Sequence, residues 1–190
     1  GLKGNTLGLI GVGQIGKLVA RRAIAFDMKV VYYDIVPCEE LDNHPSGMRV
    51  ELDELLKVSD VVSLHVPAND ATKNLINAER LAKMQPHAHL VNTTRGSVVD
   101  LEALAKALED GKIGGAALDV YANEPGAEEK SISNPIIGHP NFIGTHHVGA
   151  STIQAQLAVA EETVRIIKVY LDSGEVENCV NKDHLVPATA

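Results

Sequence analysis

Tryptophan is absent from the 190 residues, and four Tyr with two Phe are the only aromatics. The core must therefore be built from Val, Ile, Leu and Ala, side chains that suit strands packed beneath helices on both faces. Cysteine is nearly as scarce. Cys38 and Cys179 stand far apart, without the spacing of a disulfide framework or the Cys/His clustering of a zinc site, so no metal is expected. No apolar run approaches the roughly 18 residues of a membrane span, and the chain does not open on a basic segment followed by an apolar one. These absences point to a cytoplasmic protein with no membrane partner. Seventeen Lys and Arg face 25 Asp and Glu, a net charge of −8, and the cations are scattered along the chain. Nucleic acid is not an expected partner, because neutralising its phosphates needs a concentrated basic face. The remainder, 45% hydrophobic and 22% charged, is ordinary globular composition, and the length suits one large domain.

What the chain does have is alternation. Short β-branched runs at Thr6–Val12, Lys29–Asp34, Val61–Val66, His89–Thr93, Ala116–Val120 and Asn141–Thr145 are separated by helical patterns. That order specifies an α/β fold, a Rossmann-type doubly wound parallel sheet with helices on both faces in three layers. Helices are expected at Ile15–Phe26, Leu52–Val58 and Glu79–Met84, and after Asp100, an N-cap, as far as Gly111. The longest begins after Gly149, with Ser151 and Gln154 placed as a capping box. Its stripe of Ile153, Leu157, Ala160, Val164, Ile167 and Leu171 needs a partner surface, either the chain's own sheet, the first expectation, or another domain or subunit. An extended piece, Val176–Asn181, then leads into a polar tail.

Directly after the first strand comes GVGQIG, with Gly11, Gly13 and Gly16 in the G-x-G-x-x-G register. The first glycine permits a tight turn, the second lets backbone approach a pyrophosphate, and the third lets helix pack on strand. Unpaired N–H groups at the helix start attract the phosphates, so an acidic protein can bind a dianion locally. A second strand ends in Asp34, eighteen residues beyond Gly16. Its carboxylate suits adenine-ribose hydroxyls and repels a 2′-phosphate, and Ile35, Val36 and Pro37 follow it without an Arg. The cofactor indicated is NAD.

Three later segments, VNTTRG at 91–96, ALDVYANEP at 117–125 and HVGAST at 147–152, place polar groups where later strands end. Singly, Arg95 reads as a turn residue, Glu124 as a solvated carboxylate and His147 as a capping histidine. Together with the glycine turn, and in this order, they resemble the cofactor-binding domain of the NAD-dependent D-2-hydroxyacid dehydrogenases over Gly4 to Asn181. GASTIQAQ and GEVENCVN look most like the D-3-phosphoglycerate dehydrogenase branch. The resemblance implies that Arg95 holds a substrate carboxylate, that Glu124 supports His147, and that His147 is the acid/base. It further implies cofactor contacts at Gln14, Ile15, Val66, Pro67, Thr93, Thr94, Arg95, Asp119, His147, Gly149 and Ala150, beside Gly11, Gly13, Gly16 and Asp34. One position departs from the family pattern: His146 stands where proline usually precedes the histidine.

These residue types fit the chemistry. Oxidising a 2-hydroxy acid removes a hydride from C2 and a proton from its hydroxyl, so a base must reach that oxygen. Neutral His147 can take the proton, Glu124 can fix its tautomer, and the planar fork of Arg95 matches a carboxylate. The resemblance also implies a domain over residues 1–181, a polar tail over 182–190, a substrate domain absent from this chain, and a homodimer. The small-molecule partner would be a 2-hydroxy acid, D-3-phosphoglycerate first, with a glyoxylate/hydroxypyruvate reductase as alternative. A different class remains open beside the enzyme: an NAD(H)-sensing module like the corepressors that resemble these dehydrogenases.

Overall fold

The computed structural model describes residues 1–122, 124, 134–179 and 181. They fall into two compact units, Gly1–His147 and one that begins at Val148. The first holds seven strands: β1 (Thr6–Ile10), β2 (Lys29–Tyr33), β3 (Gly47–Arg49), β4 (Val61–Leu64), β5 (His89–Asn92), β6 (Gly115–Leu118) and β7 (Phe142–Gly144). All pair in parallel, in the order β3-β2-β1-β4-β5-β6-β7. Connections run outward from β1 through β2 to β3, then jump to β4 on the other side of β1. The two crossovers leave a crevice at the carboxyl ends of β1 and β4, where such sheets hold ligands.

Strand periodicity separates the two faces. Leu7 and Leu9 of β1 pack with Val30 and Tyr32 of β2 against α1 (Gln14–Ala25) and α2 (Glu39–Asp42), through Ala20, Ala23 and Leu41. Ile10, Val31, Val62, Leu64 and Leu90 point to the opposite face, under α3 (Leu52–Val58), α4 (Ala78–Leu81) and α5 (Leu101–Glu109). The three layers expected from composition are thus present. Gly8 lies beneath α3, where a Cβ would run into Ser59 and the Leu55 side chain. As expected, Asp100 caps α5, its Oδ1 accepting from the Ala103 N–H at 3.0 Å.

Several sequence-level expectations need correction. β3 was not anticipated: its three residues, Gly47–Arg49, carry too little apolar pattern to read as a strand, and pairing with β2 is what makes them one. The ordered strands are also shorter than their apolar runs, so Val12, Asp34, Val66, Thr93, Val120 and Thr145 lie in the loops beyond them. In the second unit, α6 (Ile153–Ser173) is capped by Thr152, whose Oγ1 accepts from the Ala155 N–H at 3.1 Å, in place of the Ser151–Gln154 box. Ile153, Leu157, Ala160, Val164, Ile167 and Leu171 all fall within this one helix, as their spacing requires. Gly174, at φ 73°, ends the helix, and Arg165 bonds both Glu162 and Glu177 across the following turn, where an extended piece was expected. The expected tail, 182–190, lies outside the described residues.

Candidate functional site

The glycine turn is built as its spacing requires. Gly11 adopts φ 93°, a left-handed conformation that favours glycine, and a Cβ there would sit 2.6 Å from the His65 carbonyl oxygen. Gly16 is buried against the Gly11 carbonyl, which lets α1 start close to the strand. At Gly13, the α1 N-cap, a Cβ would meet nothing within 4 Å and would project into open space. No side chain caps α1, and its first turn carries no acidic residue. The unpaired N–H groups and positive dipole end therefore remain available to an anion, with Gln14 and Ile15 exposed beside them. Asp34 completes the turn: its carboxylate accepts the Val12 N–H at 2.7 Å and the Val36 N–H at 3.0 Å. A carboxylate offers about four acceptor sites, so capacity remains for two ribose hydroxyls. These residues fit a dinucleotide.

Two adjoining cavities follow the crevice. One, of about 330 Å³, lies between Gly11, Gly13, Asp34, Ile35 and Leu75. The other, of about 460 Å³, is lined by Ile15, Ala68, Thr93, Thr94 and Arg95. Val66 and Pro67 border both, as does His65, a residue that sequence reading missed. Its signal was weak, a lone histidine at the end of an apolar strand. Burial pushes the His65 imidazole below its ordinary pKa, and its Nε2 lies 3.0 Å from Ser63 Oγ.

At the ends of β5, β6 and β7 the structure brings Arg95, Asp119, Glu124 and His147 into one unit. His147 Nδ1 lies 2.8 Å from Glu124 Oε2, while Glu124 Oε1 accepts the Tyr121 N–H at 3.1 Å. Partial burial pushes the Glu124 carboxyl up, but the bonds from His147 and Tyr121, with the charges of His147 and Arg95, outweigh it and hold the group below the usual carboxylate range. An ionised Glu124 only accepts, so the proton between them sits on Nδ1 and the carboxylate sets the tautomer of the ring. His147 itself adopts φ 59°, and its N–H donates to the Asp119 carbonyl at 2.8 Å. Left-handed backbone outside glycine stores strain and concentrates at functional positions.

Close loop approach makes this cluster possible. Gly96 lies so near the Tyr121–Ala122 peptide that any side chain would collide with it. Asn92 Nδ2 donates to the Arg95 carbonyl and its Oδ1 accepts from Thr94, which holds the Arg95 loop on β5. Asp119 is buried, and its Oδ1 accepts from Thr145 Oγ1 at 2.5 Å. Thr145 and Asn92 are polar partners that spacing gave no reason to single out. Gly149 and Ala150, the other two expected cofactor contacts, belong to the second unit.

Residues 1–149 match the family model of the D-isomer specific 2-hydroxyacid dehydrogenase, NAD binding domain. The chain belongs to that family. Its domain is 43% identical over 185 residues to a glyoxylate reductase of Thermofilum pendens, covering 97% of this chain and 53% of that protein. It is 41% identical over 180 residues to a D-3-phosphoglycerate dehydrogenase of Haemophilus influenzae, covering 95% and 43%. The NAD-complexed D-isomer specific 2-hydroxyacid dehydrogenase of Lactobacillus delbrueckii ssp. bulgaricus superposes with a TM-score of 0.86 at 33% identity, covering 93% of this chain and 56% of that one. The NAD-binding domain described here thus spans about half the length of the relatives it matches.

Proposed function

We propose that this domain is the cofactor half of an NAD-dependent dehydrogenase that interconverts a D-2-hydroxy acid and its 2-oxo acid, with D-3-phosphoglycerate as the substrate. The 2.8 Å contact between His147 and Glu124, beside Arg95 and past a dinucleotide turn, carries the class of reaction. The phosphoglycerate reading rests on GASTIQAQ and GEVENCVN and on relatives of that name. Relatives named glyoxylate and hydroxypyruvate reductase supply the alternatives.

In this reading His147 Nε2 takes the hydroxyl proton as the hydride leaves C2, and returns it in the reverse direction. Glu124 stabilises the imidazolium that forms and keeps the ring oriented. Bound NAD supplies the hydride acceptor. Arg95 donates to the Thr94 carbonyl at 2.7 Å, which leaves most of its five N–H donors for a substrate carboxylate. The first-turn N–H groups at Gln14 and Ile15 take the diphosphate, and Asp34 the adenine ribose. Val66, Pro67, Thr93 and Thr94 line its path, and Asp119, steadied by Thr145, accepts from the nicotinamide carboxamide. Gly149 and Ala150 keep the cofactor role that the family pattern gives them. The half carried by the longer relatives would close the cleft over the substrate.

A substrate panel on the enzyme that carries this domain, followed at NADH absorbance, tests the proposal. Turnover of D-3-phosphoglycerate above glyoxylate, hydroxypyruvate and D-lactate is expected. Arg95→Ala and His147→Ala should each abolish it while NAD still binds to the purified protein. Turnover of unphosphorylated acids alone would move the assignment to the reductases. Failure on every acid, with NADH bound far more tightly than NAD, would make the protein a redox sensor.

A further inference from the structure

No arginine closely follows Asp34 in the sequence, but the fold brings one from fifteen residues further on. Arg49, the last residue of β3, pairs in register with Tyr32 near the carboxyl end of β2. Its Nη2 donates to the Asp34 carbonyl at 2.8 Å, so the guanidinium sits against the same residue whose carboxylate closes the ribose end of the crevice. Arg49 is exposed, and this is the one hydrogen bond its side chain makes among the described residues. A guanidinium has five donors in a planar fork that matches phosphate oxygens, so four remain uncommitted. Arg21, by contrast, is committed to Glu40 by a two-point pair, and Arg22 bonds its own helix.

We propose that Arg49 is a specificity-determining residue of the dinucleotide site, the cation that receives the 2′-phosphate of NADP. The inference rests on the reading of Asp34 as the ribose ligand. Two groups of opposite sign then compete at one position. Asp34 accepts from the 2′-hydroxyl of NAD and repels a 2′-phosphate, while Arg49 attracts that phosphate from the neighbouring strand. With both present NAD is preferred, and the preference is set by their difference. Cofactor choice in this chain is therefore poised on a single carboxylate, because the counter-charge needed for NADP is already in place.

Isothermal titration of the chain with NAD and NADP, without any substrate, tests this. Asp34→Asn keeps an acceptor for the Val12 N–H and removes the charge. It should move the ratio of the two dissociation constants toward NADP by about tenfold or more, the worth of one charge-assisted contact. Adding Arg49→Gln should take back most of that shift, and using the ratio cancels any loss of folded protein. Arg49→Gln alone gives an independent measure: adenosine 2′,5′-bisphosphate should bind about tenfold more weakly than to the natural chain, relative to 5′-AMP. An unchanged shift in the double variant, or an unchanged bisphosphate ratio in the single one, overturns the role of Arg49. Absence of NAD binding by the natural chain would instead overturn the dinucleotide site itself, and this inference with it.

Discussion

Glu124 makes two contacts of different kinds, and they bear separate consequences. One oxygen receives a backbone N–H and fixes the loop; the other faces His147 and sets which ring nitrogen carries the proton. Glutamine in its place retains the shape and one acceptor but not the charge that, in the proposed reaction, offsets a developing imidazolium. Glu124→Gln should therefore lower kcat of the enzyme by about 10²-fold or more, within the range attributed to positioned acid–base groups, and leave the NAD dissociation constant nearly unchanged. Stopped-flow hydride transfer and calorimetric titration on the same preparation would show the split. Equal losses in both would mean that the residue only supports the loop. Because the Glu124 carboxyl is held low in the folded protein, its bond to His147 persists at mildly acidic pH and weakens only as pH falls through that lowered value.

Asp60 plays a comparable part for the sheet. It follows α3 and precedes β4, and its Oδ2 accepts the Thr6 N–H at 2.7 Å while its Oδ1 meets His87 Nε2 at 2.7 Å. Its own backbone bonds Thr6 and His89, so one residue joins the amino ends of β1, β4 and β5. The Thr6 N–H, then the His87 bond, lower its pKa against a smaller opposing effect of burial. A depressed carboxyl stabilises the fold fully above its unfolded value of about 4, and that contribution disappears as pH falls through the folded value. Asp60→Asn should destabilise by about 1–2 kcal/mol at pH 7, by urea unfolding, and by progressively less as pH falls below about 4. A difference independent of pH would remove the charge from the explanation. Gly96→Ala tests the loop junction, since its methyl would strike the Tyr121–Ala122 peptide. Loss of about 1–3 kcal/mol is expected, the usual cost of overpacking, together with a reduced kcat as Arg95 and Glu124 separate. These contacts mark what sequence could and could not convey. Strands β1, β2 and β4–β7, the α1 turn and the Asp100 cap were legible because apolar period and capping chemistry act locally. β3, Thr145, His65 and the reach of Arg49 to Asp34 were not, because each acquires its meaning only when distant segments are paired.

The chain is acidic, at −8, yet the proposed function requires it to hold a diphosphate. Among the described residues no helix is long and apolar enough to cross a membrane. In the proposed reading, attraction to the phosphates comes from oriented backbone at the start of α1, within the last few ångströms, while the repulsion comes from charges spread over the surface. Salt screens the second over a Debye length of about 10 Å at 0.1 M and barely touches the first. NAD affinity should thus hold steady or rise slightly between about 0.05 and 0.5 M salt, unlike a cationic groove whose affinity falls steeply with log salt. Binding at a hundredfold excess over the dissociation constant stabilises by about 2.7 kcal/mol, which for a chain of this length raises Tm by about 5–11 °C. Scanning calorimetry with NAD at both salt concentrations should give a shift at the higher salt no smaller than at the lower. A shift present at low salt and lost at high salt would place the diphosphate on surface cations, away from the glycine turn.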